Sequence, residues 1–220
     1  MKLRWGLALV GVVLSALVAP ATPASASVPL VRCEFTPTPS NPAARPVVRP
    51  LPFASTRGTV DVTFRFNYGP VTVRLDRGGA APCAVHNMVS LVLQRFYDRS
   101  QCWRLSDSAR LGVLQCGDIY EVEKGGPGYK FPDEATGAET YPRGTIAMGN
   151  QGAGTNGSEF FIVHSFAHIP SQYSVMGRVI RGMSAIDRMV ADGIIPKDPN
   201  GPLDGAPAHP VKIQRATVGH

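Results

Sequence analysis

The sequence lacks several features that would each point to a class of function. It has no clustered stripe of lysine and arginine, so nucleic acid is not expected as a partner. It has no Cys-X-X-Cys pair, which argues against a zinc site. Its glycine-rich segment 125–128 is not followed by the Lys-Ser/Thr ending of a phosphate-binding loop. His164 and His168 have no acidic or cysteine partner at ligand spacing, so we expect surface histidines and no metal.

Beyond its first 26 residues, the chain also lacks an apolar run long enough to span a bilayer. Those first residues have the composition of an export signal. Lys2 and Arg4 supply positive charge, residues 7–18 are apolar, and Ala24-Ser25-Ala26 offers the small side chains of a cleavage site. We therefore predict cleavage after Ala26 and a mature protein, without a stable membrane span, that is secreted or held in the cell envelope.

Four cysteines remain after that cleavage, and their even number in an exported chain favours two disulfides. Three pairings are possible. Cys102 and Cys116 flank a turn between two predicted strands, so one pairing joins them and leaves Cys33 and Cys83 to tie the N-terminal arm to the first helix. The spacing does not decide between the three. A lipoprotein anchored at Cys33 is not expected, because Arg32 is bulky and charged where a lipidation box needs a small residue.

Residues 27–58 form a proline-rich linker or N-terminal arm. Proline is too frequent there for a helix or a central strand, so we expect extended chain. The arm acts as a spacer, or it lies against the domain if Cys33 is bridged. Residues 59–220 then form one compact domain, which we expect to be a monomer.

The pattern from Thr59 onward predicts mainly strands. Residues 59–67 alternate apolar and polar side chains, a turn follows, and 71–75 form the partner strand. Helices are predicted over 82–96, opened by Pro82, and over 183–191. Further strands are predicted near 101–105, 112–116, 144–149, 158–164, 174–180 and 211–218. Eight strands and two helices fit an antiparallel barrel capped by the helices, and on this pattern alone a sandwich fits nearly as well. Residues 118–143 and 193–210 are predicted to be long irregular segments.

Residues 144–163 carry the most informative stretch of the chain. It runs from an apolar strand, through a loop of small residues, into a second strand with the paired aromatics Phe160 and Phe161. It has no acid, base or nucleophile where a hydrolase needs one. Exposed backbone amides, the Asn150 side chain and an aromatic wall suit the binding of a peptide rather than its cleavage.

An ordered set of motifs resembles the cyclophilins. The motifs are Cys102-Trp103-Arg104-Leu105, Val113-Leu114-Gln115-Cys116-Gly117-Asp118, the glycine-rich loop 125–134, the strands 144–150 and 155–162, and 175–179. They stand in the same order as in that family, and the resemblance covers roughly residues 59–218. The ordered set is far more specific than any one piece. The resemblance implies an eight-stranded antiparallel barrel with two capping helices. It also implies peptidyl-prolyl cis/trans isomerase activity, without cofactor or metal, on proline-containing segments of client proteins.

The same resemblance implies the residues of the site. Arg104, Gln115 and Asn150 take the catalytic positions. Arg104 donates to the prolyl nitrogen of the twisted amide, Gln115 orients Arg104, and Asn150 pairs its main chain with the peptide. The implied substrate-binding residues are Phe161 as the floor of a proline pocket, with Val113, Gly149, Glu159, His168, Ile169 and Tyr173 around it.

The chain departs from the family pattern at several of these positions. Gly112 stands where a pocket phenylalanine is expected, so we expect an aromatic wall to be missing and proline to be held more weakly, unless Leu111 fills the gap. Glu159 replaces a glutamine and is placed to pair with Arg104 and occupy its guanidinium. A second hypothesis follows, that of a proline-peptide binding module with weakened turnover. A structural domain without either activity is a third.

Overall fold

The computed structural model describes residues 1–2 and 29–219. The predicted export signal and its cleavage site lie outside the described residues, apart from Met1 and Lys2. The first strands are β1 (Leu30–Arg32), β2 (Thr36–Pro37), β3 (Phe53–Ser55), β4 (Thr59–Phe66), β5 (Gly69–Asp76), β6 (Ser100–Cys102), β7 (Arg104–Asp107) and β8 (Leu111–Cys116). The later ones are β9 (Tyr129–Lys130), β10 (Tyr141–Pro142), β11 (Thr145–Met148), β12 (Phe160–Ala167), β13 (Val175–Arg181), β14 (Ile194–Pro196), β15 (Asp204–Pro207) and β16 (Val211–Val218). The helices are α1 (Pro82–Leu93) and α2 (Met183–Ala191).

A curled antiparallel sheet forms the body of the molecule, and its strand order is β7-β8-β12-β11-β13-β5-β4-β16-β6. Only Trp103 separates β6 from β7, so these two strands are one stretch of chain. Its first half pairs with β16 and its second half with β8. The stretch therefore joins the two ends of the sheet. Counted as one strand, it makes eight barrel strands among the described residues, and the predicted fold class is confirmed.

The barrel core follows from the alternation of the strands. On β4 the residues Val60, Val62, Phe64 and Phe66 are buried, while the residues between them are not. Inside the barrel, Phe64 stacks on Phe160 with ring centroids 5.0 Å apart. Both helices were predicted correctly in kind. The first ends at Leu93 rather than at Phe96, because Arg95 takes a left-handed φ of 60° that a helix cannot continue.

The N-terminal arm lies against the domain and is not a free spacer. A disulfide joins Cys33 to Cys83 in α1. Phe35 packs between Tyr129 and Phe131, with ring centroids 5.6 and 5.5 Å away. The strand pairs β1–β3 and β2–β9 add two small sheets.

The second disulfide joins Cys102 in β6 to Cys116 in β8. Of the three possible pairings, the structure therefore has the one in which one bond links two strands and the other links the arm to α1. Disulfides of this kind are typical of proteins in an oxidising compartment. In the part of the chain that the structure describes, neither helix has the length and apolar character needed to cross a membrane.

The segment 193–210 was predicted to be irregular, and this was wrong. It contains the hairpin β14–β15, and β15 continues the sheet beyond β7 through the pairs Asp204–Ser106 and Gly205–Leu105. A Cβ atom at Gly205 would overlap the Ile195 carbonyl oxygen, so this close approach of two backbones requires glycine. The segment 118–143 likewise contains the short strands β9 and β10.

Candidate functional site

A cleft of about 190 Å³ lies on the sheet where β8 and β12 run side by side. It brings together nine of the ten residues expected at the site: Arg104, Val113, Gln115, Gly149, Asn150, Glu159, Phe161, Ile169 and Tyr173. Leu111, Glu123 and Gln151 complete its lining. His168 lies elsewhere, in a neighbouring groove beside Phe166, where the two ring centroids are 5.1 Å apart.

The apolar half of the cleft is built around Phe161. This residue is 5% exposed, and its ring meets the edges of Tyr173 and Tyr141 at centroid distances of 5.7 and 6.1 Å. Val113 and Ile169 belong to the same apolar cluster. Such edge-to-face pairs hold aromatic rings in fixed orientations, so the floor of the cleft is shaped in advance.

Gly112 does not face this cleft, and the expected gap in its wall was wrongly placed. Side chains alternate along β8, so Leu111, Val113 and Gln115 face the cleft while Gly112 faces the other way. A Cβ atom at Gly112 would overlap the Ser165 Oγ atom and approach His164 Cε1 to 3.0 Å. Glycine is therefore a packing requirement here, and the cleft has the aliphatic side chains of its two neighbours instead.

The Arg104 guanidinium is held from two sides. Its Nε and Nη2 atoms donate to the two carboxylate oxygens of Asp204, at 2.7 and 2.6 Å. Its Nη1 atom donates to Gln115 Oε1 at 2.9 Å, directly across the β7–β8 pair. The hydrogen bonds from Arg104 lower the pKa of Asp204, and the same carboxylate raises the pKa of Arg104. Both groups are therefore charged at all ordinary pH values.

Glu159 does not occupy the Arg104 guanidinium, contrary to the expectation. One of its oxygens accepts from Gln115 Nε2, and the other accepts from Gln151 Nε2 at 2.9 Å. A carboxylate can only accept, so it turns the Gln115 amide nitrogen toward itself and leaves the amide oxygen for Arg104. The Glu159 side chain fills the space that a Cβ atom would need at Gly149. Such a Cβ atom would lie only 2.8 Å from the Cδ atom of Glu159.

Glu159, the last member of the hydrogen-bonded chain Arg104–Gln115–Glu159, forms a buried acidic pair with Asp118. Asp118 and Glu159 line a second cavity of about 250 Å³. It shares Glu159, Gly149, Gln151 and Glu123 with the cleft. Burial, followed by the charge of Glu159, raises the pKa of Asp118 to about 8. Burial also raises the pKa of Glu159, against the lowering effect of the Gln151 hydrogen bond. At neutral pH this pair therefore retains a proton.

The Asn150 side chain is used within its own loop. Its amide donates to Asp133 Oδ1 at 3.0 Å, and Asp133 also accepts from Asn156 at 2.8 Å and from the Gly154 backbone at 2.7 Å. The Asp133 carboxylate therefore holds three residues of the loop that follows β11 in place. The Gly149 amide, next to Asn150, donates to the Glu159 carbonyl oxygen at 2.9 Å, which ties this loop to β12.

His164, expected at the surface, is 4% exposed. Its ring nitrogen Nε2 lies 2.8 Å from the Ser106 carbonyl oxygen, so it is a packed core residue of β12. His168 is exposed, as expected. Among the described residues, no group of three potential ligands is placed to hold a metal ion.

Reasoning from the sequence missed Asp204, Glu123, Gln151 and Asp118. Asp204 is 100 residues from Arg104 in sequence, and a lone aspartate before a glycine is an ordinary turn signal. Asp118 stands out in the sequence only as the last residue of the motif 113–118. Its burial depends on the loop 117–128 folding back over it, which no local pattern indicates.

The chain is similar to a known protein family and to several named proteins. The family described as cyclophilin type peptidyl-prolyl cis-trans isomerase/CLD matches residues 59–218. A probable peptidyl-prolyl cis-trans isomerase B of Mycobacterium leprae is 36% identical over 199 residues, which cover 84% of this chain and 65% of that protein. The corresponding probable isomerase B of Mycobacterium tuberculosis is 35% identical over 196 residues, covering 82% and 62%. The chain thus spans slightly less than two thirds of these two relatives.

Two further matches cover nearly the whole of the similar protein. Peptidyl-prolyl cis-trans isomerase A of Mycobacterium tuberculosis is 30% identical over 172 residues, covering 74% of this chain and 87% of that one. The crystal structure of a Cryptosporidium parvum cyclophilin type isomerase has a TM-score of 0.60 at 24% identity, covering 74% of this chain and 99% of that one. The second match shows that the two chains share a fold.

Proposed function

Because the chain belongs to the cyclophilin-type peptidyl-prolyl cis-trans isomerase family, we propose that it accelerates rotation about X-Pro peptide bonds in exported proteins. Amide resonance opposes this rotation with a barrier of about 18–20 kcal/mol, and uncatalysed exchange takes tens to hundreds of seconds. A catalyst must bind the half-rotated bond more tightly than either planar isomer. The rotation breaks no covalent bond, so the proposed reaction uses no cofactor.

The apolar half of the cleft holds the substrate proline. The proline ring rests on Phe161, between Val113, Ile169 and Tyr173. The adjoining peptide pairs with the main chain of Asn150, beside Gly149, which needs no particular side chain. The substrates are therefore extended or turning segments of client proteins that carry a proline.

Arg104 supplies the transition-state contact. Rotation out of the plane returns a lone pair to the prolyl nitrogen, which then accepts a hydrogen bond that the planar amide cannot accept. A guanidinium carries five N–H groups, and Asp204 and Gln115 together use three of them. The Arg104 guanidinium makes no other hydrogen bond to the described residues, so one N–H on Nη1 and one on Nη2 remain for the prolyl nitrogen. Each 1.4 kcal/mol or so of preference for the twisted bond gives about tenfold in rate.

The leader and the disulfides support a place of action outside the cytoplasm. Residues 1–26 have the composition of an export signal, and the cross-links Cys33–Cys83 and Cys102–Cys116 suit an oxidising compartment. We therefore place the mature protein outside the cytoplasm, either secreted or in the cell envelope, with exported chains as clients.

One observation carries the proposal: Arg104 and Phe161 line one cleft, so a donor and a proline floor meet at a single concavity. The test follows the cis/trans relaxation of short X-Pro peptides with catalytic amounts of the protein from residue 27 onward. We expect acceleration that Arg104→Ala reduces at least about a hundredfold, the order of magnitude for loss of one preorganised donor.

The matched control is Arg74→Ala. Arg74 forms a bidentate pair with Asp61, as Arg104 does with Asp204, but on the outer surface of the barrel. This control should relax the peptides as fast as the unmodified protein. An unmodified protein that leaves the uncatalysed rate unchanged contradicts the proposal.

The second candidate function is a proline-peptide binding module without turnover. The pairing of Arg104 with Asp204 favours it, because a carboxylate balances the charge that would stabilise the twisted amide. Peptide binding by calorimetry, together with no acceleration of relaxation, would identify the module. Acceleration that depends on Arg104 excludes it.

A further inference from the structure

We infer that Asp204 is a positioning residue that fixes the Arg104 guanidinium at the edge of the cleft, an inference that rests on the proposed function. Asp204 lies outside the eight-stranded barrel, on the hairpin β14–β15. No motif of the sequence singles it out.

The hairpin delivers Asp204 to its place through backbone pairing. Asp204 pairs with Ser106 across the β15–β7 ladder, and the Asp107 amide donates to the Leu203 carbonyl at 2.7 Å. The Lys197 amide donates to the Asp204 carbonyl at 3.1 Å, which closes the hairpin. The Asp204 side chain therefore starts from a backbone that is hydrogen-bonded to β7 and across the hairpin.

The contact has the geometry that orients a guanidinium. Both carboxylate oxygens accept, from Nε and Nη2, so the two planar groups lie edge to edge and rotation about the last bonds of Arg104 is blocked. The pair is also sheltered: the side chains of Arg104 and Asp204 are 27% and 24% exposed. In the surface pair Arg74–Asp61 the corresponding values are 49% and 32%.

Gln115 alone could not fix the guanidinium. It accepts one hydrogen bond from Nη1, and a single bond leaves the fork free to turn about it. With Asp204 added, three donors are held, and one N–H remains on each of Nη1 and Nη2. A long side chain that is ordered before substrate arrives does not lose its rotamer freedom during the rotation step.

This role separates turnover from binding. The proline floor at Phe161 does not depend on Asp204, so peptide affinity should survive its replacement. The contact to the prolyl nitrogen exists only in the half-rotated state, so its loss should appear in kcat with little change in KM. We expect Asp204→Asn to lower kcat about tenfold or more, with KM within about twofold.

Two variants accompany Asp204→Asn. Asp204→Glu keeps a carboxylate that can accept at both oxygens, and it should recover at least about a third of the unmodified kcat. Asp61→Asn is the matched control, because it removes one carboxylate from a bidentate arginine pair away from the cleft. It should leave both constants unchanged.

A spectroscopic readout separates positioning from a general effect on the hairpin. The Nε–H signal of Arg104 in a nitrogen-15 correlation spectrum reports its bond to Asp204. We expect the signal to move or broaden in Asp204→Asn and to stay near its place in Asp204→Glu.

Each outcome decides the inference. It is overturned by an unchanged or increased kcat in Asp204→Asn, and equally by a loss of kcat that leaves the Nε–H signal in place. An unmodified protein without acceleration overturns the proposed function together with the inference. Acceleration that depends on Arg104 but is indifferent to Asp204 overturns the inference alone.

Discussion

Gly112 and Ser165 share one small volume behind the cleft. The space that a Cβ atom at Gly112 would need holds the Ser165 Oγ atom, and within the described part of the chain this buried hydroxyl has no hydrogen-bond partner. A buried hydroxyl without a partner has lost its hydrogen bonds to water, so it costs stability and does not add to it. The contact between the two residues is therefore steric, and a change of side chain at one position alters the space available at the other.

At this scale we predict that Gly112→Ala destabilises the protein by about 1–3 kcal/mol, the usual cost of overpacking a filled site. Ser165→Ala alone should leave the free energy of unfolding unchanged or raise it by up to about 3 kcal/mol, because it removes a buried polar group that has no partner. The double variant should recover most of the loss, because the overlapping oxygen is gone. Urea unfolding of the four proteins measures this cycle, and strictly additive effects would contradict it.

The position of Gly112 also shows what the sequence offered. Side chains two apart on a strand share a face, so Gln115 at the cleft predicts Val113 there and puts Gly112 opposite. The family motif, which puts a pocket residue at position 112, conflicts with this local rule. The contact between Arg104 and Asp204 is different, because 100 residues lie between them and only the folded hairpin brings them together.

At the scale of elements, the Cys102–Cys116 disulfide braces the strands that carry the site. Cys102 ends β6 two residues before Arg104, and Cys116 follows Gln115 on β8. Both cysteines are buried, at 0% and 1% exposed. The bond therefore fixes the chain beside the pair of residues on which the proposed rotation depends.

We predict that the Cys102→Ala/Cys116→Ala protein is less stable by about 3 kcal/mol, from the entropy of closing a loop over a separation of 14 residues. Cys33→Ala/Cys83→Ala should cost more, about 4 kcal/mol, because that bond closes a separation of 50. Both variants lose the same side-chain atoms. The difference between their free energies of unfolding, measured with urea, therefore reports the difference in loop length. The reverse order would reject loop closure as the dominant cause.

Elements with a strong period were predictable, and those without one were not. The alternation of apolar and polar residues along β4 and the amphipathic pattern of α2 were enough to locate both elements in the sequence. The hairpin β14–β15 is short, and its strands include Pro196 and Pro207, which local rules assign to loops. Pairing with β7 outweighs that local preference.

At the scale of the whole molecule, the acidic pair behind the cleft affects stability as pH changes. The folded state holds the pKa of Asp118 at about 8, whereas an unfolded aspartate titrates near 3.9. Between these values the folded protein binds more protons than the unfolded chain, so its stability falls as pH rises. The contribution of Asp118 is fully present below the lower value and is lost as pH passes the upper one.

We therefore predict that Asp118→Asn loses less free energy of unfolding between pH 5 and pH 8 than the unmodified protein. An asparagine cannot ionise, and its side-chain oxygen can still accept from the Glu123 amide as Asp118 does. The measurement is urea unfolding at both pH values, with the exposed Asp198→Asn as the control. Equal losses in Asp118→Asn and the unmodified protein would show that Asp118 titrates normally.

The link between the arm and the first helix has a consequence for proteolysis. A protease that cuts any one peptide bond between residues 34 and 82 opens the chain inside a covalent ring closed by Cys33 and Cys83. The two fragments then stay in one molecule and migrate together on a denaturing gel, and they separate only after a thiol reductant is added. Damage to the exposed, proline-rich half of the ring therefore releases nothing while the bond stays oxidised.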